Sequence, residues 1–203
     1  MGGLVGTSGE NTIISNCYVS GTINAASDEA GGLAGRNYGL IEDCQAEVEL
    51  ISDGGRAGGL VGSNSGEIYK SFAIGDVQGY DRIVGLVGIN TGEIINCYAR
   101  GDVDGNSGVG GLVGNSSNQG TIIKNSYAVG SVIGTEGEVG GLVGRNVYGA
   151  QVQTSYYYQD PDNGLGIKVS QEEMKQQETY QDWDFNDIWL IDEDSSFPYL
   201  QCE

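Results

Sequence analysis

Asp76 and Asp102 stand 26 residues apart, and each follows a small residue, Ser71 or Cys97, by five positions. The same offset selects Thr22, Glu49, Ser131 and Asp160. Carboxylates stacked about 5 Å apart repel one another unless they share a cation, and calcium is a hard ion that takes such ligands. Asp76, Asp102 and nearby Asp104 are therefore the candidate calcium ligands. Retaining glycosidases hold their two carboxyls about 5–5.5 Å apart, so the same pair also invites an enzyme reading. Against it, two acids in one ladder have no evident difference of environment to split their proton affinities. A solvated acidic stripe accounts for these residues with no ligand at all.

Tyr18, Phe72, Tyr98, Tyr127 and Tyr156 each come directly after a small residue: Cys17, Ser71, Cys97, Ser126 and Ser155. If the small residues point inward, alternation along a strand turns the aromatics outward. Such a ladder could stack on sugar rings or a partner protein, or the rings could simply shield one another. Cys17, Cys44 and Cys97 share their column with three serines, so small size explains them, and a reduced, buried column is expected. Cys17 and Cys44 would still lie within Cα reach of a bridge. Cys202 stands apart near the end and is expected to be unpaired. Arg100-Gly101-Asp102 spells an integrin-recognition tripeptide. However, Gly-Asp-Val recurs as Gly75-Asp76-Val77, so only Arg100 is new, and a mid-strand position presents a loop ligand badly.

What positions these residues is a repeat. Gly-Leu-Val-Gly, or Gly-Leu-Ala-Gly, occurs six times, around Leu4, Leu33, Leu60, Leu86, Leu112 and Leu142. Each is followed by Ile14, Ile41, Ile68, Ile94, Ile123 or Val152, and three residues later by the small residue. The three recurring segments are short, rich in β-branched residues and bounded by Gly or Asn, which reads as strands. Strands recurring every 26 to 30 residues with no helix between them fit one repeat per coil of a solenoid, each strand pairing with its equivalent about 4.8 Å away. The fold class is thus all-β: a right-handed parallel β-helix of six coils over residues 1–158, handedness following the general crossover preference. Leu and Ile form interior columns. Ser8, Asn37, Asn64, Asn90, Ser116 and Asn146 suit a left-handed corner and could hydrogen-bond along the rod. Val5, Ala34, Val61, Val87, Val113 and Val143, beside an inward Leu, are expected to form an outward apolar stripe. The second coil departs from the pattern, with Gln45 at the aromatic position and Val48 at a glycine position. The longest coils add Asn24 to Ala30 and Ile133 to Glu138, the first places to look for a site.

After Tyr158 the pattern stops. Ser170-Gln171-Glu172-Glu173 reads as a capping box for a short helix over Gln171 to Glu178, and both tryptophans lie beyond it. Residues 159–203 are expected to form a small helical and aromatic cap over the solenoid end. Composition excludes much else. Glycine is 36 of 203 residues against about 7% usually, which rules out a helical bundle. The absence of His removes Ser-His-Asp and Cys-His catalysis and His-ligated zinc. A net charge of −19 repels nucleic acid and anionic membranes. No apolar run approaches the roughly 20 residues of a membrane span.

The Gly-Leu-Val-Gly blocks followed by Asn16-Cys17-Tyr18-Val19 and Asn96-Cys97-Tyr98-Ala99 resemble the GLUG motif family. The run Trp183-Asp184-Phe185 to Pro198-Tyr199-Leu200 is similar to the segment that often ends such arrays. The resemblance implies a parallel β-helix on a secreted or cell-surface bacterial protein, of the kind found in adhesin-like proteins and in accessory regions of immunoglobulin A proteases. It brings no catalytic residues and no cofactor. The function expected is a non-catalytic rod, spacing domains of a longer parent chain or contacting glycans or host surface proteins. A carbohydrate-active enzyme and a calcium-dependent binding module are the alternatives.

Overall fold

The structure, a computed structural model, describes residues 1–26 and 28–202. The chain is an all-β solenoid of six coils, and every pairing between coils is parallel. One face stacks Val5–Thr7, Ala34–Asn37, Val61–Asn64, Val87–Asn90, Val113–Ser116 and Val143–Asn146. A second stacks Ile13–Ser15, Leu40–Glu42, Glu67–Tyr69, Glu93–Ile95, Ile122–Lys124 and Gln151–Gln153. The register is the repeat itself, with Ile14 opposite Ile41 and so on through Ile68, Ile94 and Ile123 to Val152.

The third face is a ten-stranded sheet. Its first two coils contribute unbroken strands, Tyr18–Ala25 and Gln45–Ser52. The next three coils split each strand in two, as in Phe72–Ala73 and Val77–Gly79. The break falls at Gly75, Gly101 and Gly130, where a Cβ would come within 2.1 Å of a carbonyl oxygen on the preceding coil. Only glycine lets the backbones approach so closely. Val48 occupies that position in the second coil and its strand runs straight through. A fourth ladder of two-residue strands, from Ala30–Gly31 to Val139–Gly140, lies just before each Leu and is too short to show as a pattern in the sequence.

Leu33, Leu60, Leu86, Leu112 and Leu142 are fully buried, as are Ile41, Ile68, Ile94 and Ile123. Burying each such side chain contributes roughly 1.5–3 kcal/mol. Leu4, on the first coil, is 52% exposed because no coil covers it. The Val column contradicts the expected outward stripe. Ala34, Val61, Val87, Val113 and Val143 are buried in the same core as the leucines. Each Leu sits at a bend before the strand begins, so strand alternation does not run from Leu to Val and both can point inward.

The amide ladder forms over the first four coils, but not at the left-handed corner; Ser116 Oγ is buried without a hydrogen bond and Asn146 bonds to Ala150. Ser8 Oγ donates to Asn37 Oδ1 at 2.6 Å, Asn37 Nδ2 to Asn64 Oδ1 at 2.8 Å, and Asn64 Nδ2 to Asn90 Oδ1 at 2.8 Å. The recurring left-handed position, one per coil, is held by Asn16, Asp43, Lys70, Asn96, Asn125 and Thr154, each with φ between 40° and 55°. They turn the chain from the Ile face into the column of small residues.

The segment after Tyr158 divides in two. Pro161 to Lys168 closes the last coil: Gly141 N donates to Pro161 O at 2.8 Å, Asn163 Nδ2 to Val143 O at 2.7 Å, and Ile167–Lys168 pairs with Tyr156–Tyr157. From Ser170 to Cys202 the chain leaves the end and runs back along the third face. This corrects the expectation that all of it caps the end; Glu203 lies outside the described residues. The capping box does form, with Ser170 N donating to Glu173 Oε2 at 2.7 Å and Glu173 N to Ser170 Oγ at 3.1 Å. It opens two 3₁₀ turns, Glu173–Lys175 and Gln177–Thr179, rather than one α-helix, because Gln176 between them is extended. Among the described residues no helix is long and apolar enough to cross a membrane.

Candidate functional site

The aromatic column points away from the interior, as alternation requires, but most of it is covered. Phe72, Tyr98, Tyr127 and Tyr156 are buried. They form a second core with Met174, Tyr180, Trp183, Trp189 and Leu200, separate from the interior of the solenoid. Within the ladder Phe72 stacks on Tyr98 at 4.6 Å between ring centroids, and Tyr98 on Tyr127 at 5.0 Å. Trp189 then packs 6.2 Å from Tyr98 and 6.0 Å from Tyr127. These four rings are therefore not an open binding surface: the tail takes the place a ligand was expected to occupy. Only Tyr18, on the first coil, remains exposed, at 54%.

Arg100 fastens the tail. Its guanidinium lies 4.5 Å from the Tyr98 ring centroid, donates through Nε to Tyr127 Oη at 3.0 Å, and donates through Nη2 to Pro198 O at 2.9 Å. Tyr127 Oη donates to the same carbonyl oxygen. The tripeptide Arg100-Gly101-Asp102 is thus not displayed, since its arginine is engaged beneath the tail. Trp183 Nε1 donates to Thr154 O at 2.9 Å and Gln181 N to Tyr156 Oη at 3.2 Å, so the contact runs along three coils.

The acidic column does other work. Asp76 Oδ1 accepts from the amide of Asp102 at 2.9 Å, and Asp102 Oδ1 accepts from the amide of Ser131 at 2.8 Å. Each carboxylate satisfies a backbone donor of the next coil where the glycine break interrupts the ladder. Asp104 is exposed on the strand Val103–Gly105 beside Gln78. Among the described residues no three His, Cys, Asp or Glu side chains converge to hold a metal ion, so Asp76, Asp102 and Asp104 are not gathered into a calcium site.

The inserted stretches are structural as well. Glu29, buried in the first of them, pairs with Arg36 and, at 2.9 Å, with Arg56; Ser27, in the same stretch, lies outside the described residues. In the second, Glu138 pairs with Arg145 at 2.8 Å. None of these three ion pairs was legible beforehand, because Glu29, Arg56 and Glu138 stand in the short connections between strands and nothing in the spacing marks their partners. Cys44 and Cys97 are buried, free thiols, and burial pushes both up to about 12. Cys17 is a free thiol and only partly buried.

A hollow remains where the second coil breaks the aromatic pattern. Tyr18, Gln45 and Phe72 are in register on successive strands, and Gln45 stands where a ring would. The hollow holds about 170 Å³, and Asn16, Tyr18, Asp43, Gln45 and, from the tail, Cys202 line it. Tyr18 Oη donates to Glu47 Oε2 at 2.6 Å, which sets the ring's position. Asp43 Oδ1 is buried with no hydrogen-bond partner, its nearest cation being Lys70 Nζ at 3.6 Å.

Comparison with known proteins agrees with this geometry. The GLUG motif matches residues 1–24 and 85–104. Over 82 residues the chain is 38% identical to a protein of Evansella cellulosilytica described as a Gly-rich membrane protein. That match covers 36% of this chain and spans 10% of the relative's length. A solved structure from Bacteroides ovatus, described as an immunoglobulin A1 protease, superposes with a TM-score of 0.69 at 18% identity, covering 91% of this chain and 77% of that one. At that identity the likeness concerns the fold. The stacked columns, the parallel coils and the motif match coincide: two stretches of this β-solenoid, residues 1–24 and 85–104, match the GLUG motif.

Proposed function

We propose that this chain is a non-catalytic rod of a bacterial adhesin-like protein, secreted or held at the cell surface, that spaces neighbouring domains and offers a scaffold to glycans or host proteins. The observation that carries the reading is the uniformity of the coils. Asp76 and Asp102, the acids best placed for chemistry, are engaged by backbone amides, whereas a catalytic centre gathers distinct ionisable groups at one place. A relative described as a Gly-rich membrane protein and a solenoid neighbour described as a protease support a place outside the cytoplasm. The test is retention of the purified chain on a panel of polysaccharides and matrix glycoproteins, with calcium and with chelator, assaying the same wells for newly released reducing ends. Retention without release, unaltered by chelator, is expected. Release of reducing ends, lost on Asp76→Asn and Asp102→Asn, would replace this reading with a carbohydrate-active enzyme. Retention only with calcium would replace it with a calcium-dependent binding module.

A further inference from the structure

We propose that the hollow at Gln45 binds one neutral sugar ring of a glycan, the ring standing where the second coil lacks an aromatic; this rests on the scaffold reading above. The ladder Tyr18, Gln45, Phe72, Tyr98, Tyr127 is continuous except at Gln45. From Phe72 to Tyr127 the rings stack at 4.6 to 5.0 Å. The missing ring leaves about 170 Å³ beside the exposed face of Tyr18. That is the room of about five or six waters, the scale of one pyranose rather than of a chain. The ring of Tyr18 is already fixed by its hydrogen bond to Glu47, so little rotamer freedom is lost on binding.

The rim chooses the ligand. The side-chain amides of Asn16 and Gln45 each offer donors and an acceptor, and Asp43 Oδ1 is a buried acceptor without a hydrogen bond. A buried acceptor without a hydrogen bond is left unfavourably placed, and a sugar hydroxyl would satisfy it. Asp43 is paired with Lys70, and Glu47 accepts a hydrogen bond from Tyr18. An anionic sugar meets a chain of net charge −19. A neutral polyhydroxylated ring with one apolar face fits both the stacking gap and the rim.

The full chain would be tested for retention on immobilised neutral oligosaccharides, on their sialylated counterparts and on glycoproteins before and after deglycosylation. Two variants accompany it. Tyr18→Ala removes the platform. Gln45→Tyr fills the gap with a ring of the chain's own, and it is expected to leave the melting temperature unchanged or raise it, which separates a filled site from a damaged fold. The expected result is retention of neutral glycans that weakens about tenfold or more in both variants. Equal retention by wild type and Gln45→Tyr overturns the site. So does retention of sialylated glycans as strong as of neutral ones. Retention of glycoproteins that survives deglycosylation overturns this inference and leaves the scaffold reading standing, whereas no retention on any surface counts against both.

Discussion

Six residues in a row along the rod hold left-handed backbone angles, and they are not equally suited to it. Asn16, Asn96 and Asn125 tolerate that region, as does Asp43, whereas Lys70 at φ 44° and Thr154 at φ 40° carry a steric cost of about 1–2 kcal/mol. Thr154→Asn is therefore expected to stabilise the chain by about 1 kcal/mol, read as a higher denaturant midpoint at unchanged slope. The column of small residues makes a pH prediction. Burial raises Cys44 and Cys97 from 9.0 to about 12. A group raised on folding contributes stability that is whole below its unfolded value and is lost as pH rises toward its folded one. These thiols therefore weaken the fold between about pH 9 and pH 12. Ser71, Ser126 and Ser155 already fill equivalent places, so Cys44→Ser with Cys97→Ser should cost under about 1 kcal/mol at pH 7. The doubly substituted chain should unfold at higher pH in an alkaline titration; an unmoved midpoint would refute the assignment. At this scale the columns were legible in the sequence, because a repeat aligns every residue with its neighbour on the next coil. The inward Val was not legible, because the bend at Leu suspends alternation.

The tail is the element that gives the rod a second core. Trp189 is fully buried between Tyr98, Tyr127 and Trp183, and truncating such a residue costs about 3–5 kcal/mol. The solenoid interior does not depend on it, since the two cores share no residue. Trp189→Ala should therefore release the tail while the coils persist. The expected signs are an unchanged far-ultraviolet circular dichroism spectrum, a red-shifted emission from Trp183 and new binding of a hydrophobic dye to Phe72, Tyr98 and Tyr127. Loss of the β signal together with the tail would show instead one cooperative unit. The sequence showed that this tail was aromatic and that the ladder was aromatic. It did not show that the two meet, because Arg100 and Pro198 are 98 residues apart and nothing in the spacing of either segment records the other. The short fourth ladder escaped for the opposite reason: strands such as Ala30–Gly31 are held only by the coils beside them and have no local signature.

The whole molecule is a stack with unlike ends. At one end Pro161 to Lys168 fills the last coil, with Tyr157 Oη donating to Asp162 at 2.6 Å and holding that carboxyl below its ordinary range. At the other, Leu4 and Ile13 are 52% and 65% exposed and the strand Ile13–Ser15 has a neighbour on one side only. In a stack of repeats, stability is a sum of coil and interface contributions, so the first coil, with one interface, is the first to open. Hydrogen exchange should resolve this as a gradient. Amides bonded to the first coil, such as Leu40 N to Thr12 O, should exchange about a hundredfold faster than Leu86 N and Leu112 N at the middle of the rod. Truncation should follow the same order. Leu4→Ala is expected to cost under about 1 kcal/mol and Leu86→Ala, buried on every side, about 2–5 kcal/mol. Uniform protection from Leu4 to Leu142, with equal costs for the two substitutions, would mean that the coils open together and that the open edge carries no weakness of its own. The gradient bears directly on binding, because Tyr18 and the hollow at Gln45 lie in the two coils nearest the open edge. A ligand held there bridges the first coil to the second, so it should slow exchange at that end and leave the middle of the rod unchanged.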